Sequence, residues 1–132
     1  MASHKLALLN TTIATADGVY NVETVSLDRA QRLAFHNRQW LDSAIGHEST
    51  AQIMTTLLGV EVPMNRQMFE QQSGQQALVF KLNGRPPEGK VLSVDEIESI
   101  GYTFKLMTRL SDPSVHVADD SDIGQYVIRV NR

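Results

Sequence analysis

The spacing of apolar side chains changes along this chain from the 3.6-residue period of a helix to the two-residue period of a strand. Ala51, Met54, Leu57 and Leu58 form a core-facing stripe on a helix running from Gly46 or His47 to Leu58, with Gly59 in the C′ position. In Gln76–Leu82 the pattern is extended, with Leu78, Phe80 and Leu82 on one face. A chain that carries both periods must pack helices on a sheet.

The remaining segments fit that plan. Lys5-Leu6-Ala7-Leu8-Leu9 reads as a short buried strand ending at the polar Asn10-Thr11-Thr12. Gly18 opens a second strand to Val25, with Val19, Asn21, Glu23 and Val25 on one face and Tyr20, Val22 and Thr24 on the other. Ser26 caps a predicted helix over Leu27–Asn37, whose Leu27, Ala30, Leu33 and Ala34 share a face. Ser93-Val94-Asp95-Glu96 is a capping box that opens a short helix closed by Gly101. Tyr102–Leu110 follows as a strand with Tyr102, Phe104, Leu106 and Leu110 on its apolar face. The order β, β, α, α, β, α, β predicts an α/β fold, a mixed sheet of about five strands with helices packed on it. Residues 1–110 form the expected domain. Residues 111–132 read as an extension in which Val115–Val117 and Gln125–Val130 form a hairpin across an acidic turn. This segment is expected to pair with a sheet edge or a partner subunit.

Composition removes several classes of function. At 132 residues the chain is one domain that can bury a core. It has no cysteine, hence no disulfide, zinc–thiolate site or cysteine nucleophile. No run approaches the ~20 apolar residues of a membrane span, so no membrane partner and a cytoplasmic location are expected. The net charge of −3 disfavours a long nucleic acid as partner, since phosphate neutralisation supplies most of such affinity. A small anion needs only a few cations in one place.

Three features carry chemistry. Ile45-Gly46-His47-Glu48-Ser49-Thr50 puts a histidine at the start of an amphipathic helix, where backbone N–H groups attract anions. Asn83-Gly84-Arg85-Pro86-Pro87-Glu88-Gly89-Lys90 is a stiff, charged loop holding Arg85 and Glu88 in fixed relation. Asn65-Arg66 is a candidate second phosphate contact. Each also has an ordinary reading: a surface or capping histidine, a loop ion pair contributing roughly 0–1 kcal/mol, and a solvated charge. His4, His36 and His116 have weaker claims, at a terminus, a helix end and the extension.

Taken together these residue types suit cleavage of RNA. The 2′-hydroxyl is its own nucleophile, so the protein supplies a general acid, a cation for the phosphorane, and geometry. Histidine can be the acid, arginine the cation, and a glutamate can orient the histidine or meet a ribose hydroxyl. No group of Asp, His and Glu has metal-ligand spacing, and no cofactor motif is present, so neither metal nor cofactor is expected.

Leu8-Leu9-Asn10-Thr11-Thr12-Ile13, Ser43–Gln52, Asn65-Arg66 and Arg85–Leu92 together closely resemble the viral ring nuclease family, over about residues 5–110 in consistent order. The resemblance implies a homodimeric α/β fold and cleavage of cyclic tetra-adenylate, the messenger of type III CRISPR systems. In a virus this would be an anti-CRISPR activity acting in the infected cell; in a prokaryotic cell it would end the alarm. It further implies His47 as the acid, Arg85 and Glu88 as its catalytic companions, and Asn65 and Arg66 as holders of ligand phosphate. Asn10, Thr11, Thr12 and Gly46 are the remaining expected ligand contacts. The other reading is a module that binds or senses the messenger without turnover, which would have no use for a general acid at His47.

Overall fold

In the computed structural model, residues 5–85 and 91–110 are described in full and residues 125–130 by their backbone. The elements run β1 (Leu6–Leu9), β2 (Gly18–Val25), α1 (Leu27–His36), β3 (Leu41–Ser43), α2 (Glu48–Leu58), β4 (Gln76–Leu82), α3 (Val94–Ile100), β5 (Tyr102–Arg109) and β6 (Gln125–Val130). The strands form one mixed sheet in the order β3-β1-β4-β5-β2-β6. β1 pairs in parallel with both β3 and β4, and the other neighbours are antiparallel.

Local chemistry sets the helix boundaries. Ser26 accepts from the Arg29 N–H at the head of α1. Ser93 and Glu96 form the reciprocal capping box of α3. Gly59 closes α2 with φ 74°, a left-handed conformation that costs glycine nothing. Two predicted ends move by one residue: Asn37 is the C-cap of α1 rather than its last turn, and His47 is the N-cap of α2. β5 likewise stops at Arg109, one residue short of the predicted end.

All three helices contribute to one core on one face of the sheet. Ala30 and Ala34 of α1, Met54 and Leu57 of α2, and Ile97 of α3 meet Leu8, Leu78, Phe80, Phe104 and Leu106 there. The Phe80 ring lies 5.2 Å from that of Phe104 and 6.0 Å from that of Tyr102. The opposite face carries a smaller cluster: Ala7, Leu9, Tyr20, Val22, Ala77, Val79 and Met107, covered in part by Ala14, Ala44 and Phe69. Because β1 is buried on both faces, its sequence is a continuous apolar run rather than an alternating one.

The sequence reading omits β3. This strand has only three residues, and its ladder is the non-local pairing of Leu6, Ala7 and Leu8 with Leu41, Asp42 and Ser43. β6 pairs with β2 along Gly18–Glu23, so Gln125–Val130 does join a sheet edge. The other arm of the expected hairpin, Val115–Val117, lies outside the described residues.

Candidate functional site

The parallel strands β3, β1 and β4 point the same way, so their carboxyl ends reach a common rim of the sheet. Ligands of open α/β sheets bind at such rims, because the chain leaves the sheet there and the connecting segments are free to specialise. Asn10-Thr11-Thr12 follow β1, the segment leading to His47 follows β3, and Asn83 to Arg85 follow β4.

A difference in strand length makes a cavity at this rim. The β1–β4 ladder ends at Leu9 opposite Val79, yet β4 continues to Leu82. This overhang of about 10 Å has no β1 beside it. On the sheet face opposite the helices it leaves a cavity of about 530 Å³, lined by Asn10, Thr11, Thr12, Val79, Lys81, Asn83, Thr103 and Lys105. Cross-strand pairing of Val79 with Lys105 and of Lys81 with Thr103 puts the two lysines on one diagonal. Among the described residues neither lysine is in an ion pair. Nor is any acidic residue among the lining groups. The side chains of Asn10, Thr11, Thr12 and Thr103 make no hydrogen bond to described residues, so their donors and acceptors are available. Cations with unspent amide and hydroxyl groups over one apolar side chain suit a polar, anionic ligand.

His47 is exposed and holds extended backbone (φ −130°, ψ 130°) with no cap hydrogen bond from its side chain. Its imidazole has no hydrogen-bond partner among the described residues. The segment before it is held by residues 63–67: Asn65 reaches the Ser43 carbonyl through Nδ2 at 2.9 Å, and Arg66 reaches the Gly46 carbonyl through Nη2 at 2.9 Å. Gly46 leaves room for this, because a Cβ there would lie 3.3 Å from Arg66 Nε. Arg66 is otherwise exposed, as is Arg85.

The expected site residues therefore fall into two groups. Asn10, Thr11 and Thr12 line the cavity, whereas Gly46, His47, Asn65 and Arg66 lie across β1, where β3 ends. β3 and β4 are two strand spacings apart, about 10 Å at the sheet. Arg85 follows β4 but does not line the cavity. Glu88 lies outside the described residues. His36 ends α1 and is exposed, while His4 and His116 are likewise outside the described residues. Sequence reasoning missed Lys81, Asn83, Thr103 and Lys105. Alternation marked the lysines as the polar face of their strands, and only strand pairing puts the two together beside Asn10. Among the described residues no group of His, Asp and Glu is placed to hold a metal ion, and no helix is long and apolar enough to cross a membrane.

Several known proteins are similar to this chain in fold or in sequence. B116 of Sulfolobus turreted icosahedral virus superposes with a TM-score of 0.68 at 26% identity, over 78% of this chain and 97% of B116. The uncharacterized protein YddF of Bacillus subtilis (strain 168) is 37% identical over 106 residues, 80% of this chain and 98% of YddF. The uncharacterized protein ORF117 of Acidianus two-tailed virus is 36% identical over 110 residues, 80% of this chain and 93% of its own. The sequence pattern of the STIV B116-like family matches residues 6–104, a span that runs from β1 into β5 and includes the whole cavity lining except Lys105. The chain belongs to the STIV B116-like family.

Proposed function

We propose that this protein is a metal-independent ring nuclease that cleaves cyclic tetra-adenylate and so silences type III CRISPR signalling. The observation that carries this reading is the shared rim. A histidine with no hydrogen-bond partner among the described residues, an exposed arginine and a cavity with two lysines follow or flank adjacent parallel strands. The resemblance of its motifs to ring nucleases supplies the substrate.

In this mechanism a ribose 2′-oxygen attacks the adjacent phosphorus and loses its proton to solvent or to Glu88. The bond from phosphorus to the 5′-oxygen breaks, and His47 gives that oxygen its proton. Arg85 offsets the charge that builds on the phosphorane. The products are linear adenylates with a 2′,3′-cyclic phosphate. A ring of four identical nucleotides has rotational symmetry, and one protomer offers few cations to surround it. A two-fold homodimer would present His47, Arg66 and Arg85 twice and engage opposed phosphodiesters.

Incubation with labelled cyclic tetra-adenylate in EDTA, followed by separation of products, tests the reading. Linear adenylates with 2′,3′-cyclic phosphate ends are expected. A strict need for a divalent ion, or a 3′-hydroxyl product, overturns the mechanism. Tight binding with no cleavage favours the other reading, a module that sequesters or senses the messenger, which the cavity alone would serve equally well.

A further inference from the structure

The connection from β3 to α2 that carries His47 is fixed along its whole length. Ser43 Oγ donates to the Pro63 carbonyl at 2.6 Å and accepts from the Ile45 N–H at 3.3 Å. The Ala44 N–H donates to the Leu8 carbonyl at 3.0 Å. The Ser43 carbonyl accepts from Asn65 Nδ2 at 2.9 Å and Gln67 Nε2 at 2.7 Å. The Ile45 carbonyl accepts from the Asn65 N–H at 2.8 Å, and the His47 carbonyl accepts from the Ala51 N–H at 3.1 Å. Ile45 itself is fully buried.

The imidazole, by contrast, makes no hydrogen bond of its own to the described residues. Among the described residues, what sets its position is the backbone beneath it. Asn65 grips that backbone twice, through its own N–H and through its side-chain amide, on either side of Ala44.

Resting on the ring-nuclease reading, we propose that Asn65 is a positioning residue that acts through His47, and not a contact to ligand phosphate. Its side-chain donor is turned inward onto the Ser43 carbonyl, while its neighbour Arg66 keeps an exposed guanidinium that a ligand can meet. A general acid displaced by about 1 Å from its leaving group can lose on the order of 10²-fold in rate, so the grip has kinetic value.

Asn65→Asp preserves shape but sets an acceptor against the Ser43 carbonyl; Asn65→Gln retains the donor. With cyclic tetra-adenylate, N65D is expected to lower kcat by about 10–100-fold and leave Kd within about twofold of wild type, with partial recovery in N65Q. In the His47→Ala background N65D should cost nothing further, because two residues acting as one unit are not additive. A readout without turnover is the Cε1–H signal of His47 in the ligand-free protein, expected to move in N65D while that of His36 stays.

A raised Kd with unchanged kcat, a full additional loss in the His47→Ala background, or an unmoved His47 signal would each overturn the proposal. If N65D does not fold, N65S, which cannot reach Ser43, takes its place in every measurement. If the wild type does not cleave the ring, the ring-nuclease reading fails. The histidine signal then still decides whether Asn65 positions His47.

Discussion

Lys81 and Lys105 stand on a diagonal of the β4–β5 ladder, on the sheet face away from the helices, Lys105 level with the last residue of β1 and Lys81 beyond its end. Diagonal neighbours in an antiparallel pair are roughly 7 Å apart at their side-chain origins. Two flexible ammonium groups at that spacing can converge on one phosphate or reach two adjacent ones. Like charges this close repel, and the arrangement is stabilised by an anion between them.

Replacing either lysine by alanine should therefore weaken cyclic tetra-adenylate binding by about tenfold, or about 1.4 kcal/mol. The effect should shrink as salt rises, since exposed charges are screened over about 10 Å at 0.1 M. Titration calorimetry at low and high salt checks both statements. Stability should be unchanged or slightly raised, because repulsion is removed.

His47 and Arg85 should separate kinetically. His47→Ala is expected to lose on the order of 10²–10⁴ in cleavage rate with ligand affinity retained, as for a general acid. Arg85→Ala should damage rate and affinity together, because a cation near phosphate serves ground state and transition state alike. Single-turnover rates beside equilibrium binding distinguish them. Wild-type cleavage by the His47 variant would remove it from the mechanism.

Truncation after Leu110 removes β6 and leaves unpaired those N–H and C=O groups of β2 that face it along Gly18–Glu23. A long bare edge invites pairing between chains. The shortened protein should melt at a lower temperature or self-associate, while any folded fraction still cleaves the ring. Retained stability with lost ligand affinity would instead make the extension a lid.

Phe80 sits in the aromatic cluster that joins β4 to β5 on the helix side. Phe80→Ala should cost about 3–5 kcal/mol, the usual range for a buried aromatic truncated to alanine. Urea unfolding measures this directly. Because β4 also floors the cavity, the folded fraction should bind ligand less tightly as well.

What the sequence alone determined is what depends on neighbours along the chain. The caps at Ser26 and Ser93, the stop at Gly59, the helical stripe of α2 and the alternation of β2, β4 and β5 rest on local periods and local hydrogen bonds. Asn10, Thr11 and Thr12 were legible as a polar end to an apolar strand, and His47 as a polar residue heading an amphipathic helix. Tertiary structure alone decided the rest. β3 exists because three residues find the β1 edge, which no propensity over so short a run encodes. The cavity exists because β4 outruns β1, a matter of register between strands far apart in sequence. Lys81 and Lys105 become a pair only through that register, since each by itself is an ordinary outward residue of its strand. The double grip of Asn65 on the segment before His47 likewise needs residues 43–46 and 63–67 folded against each other. Energies that join distant parts of the chain leave no periodic trace in it.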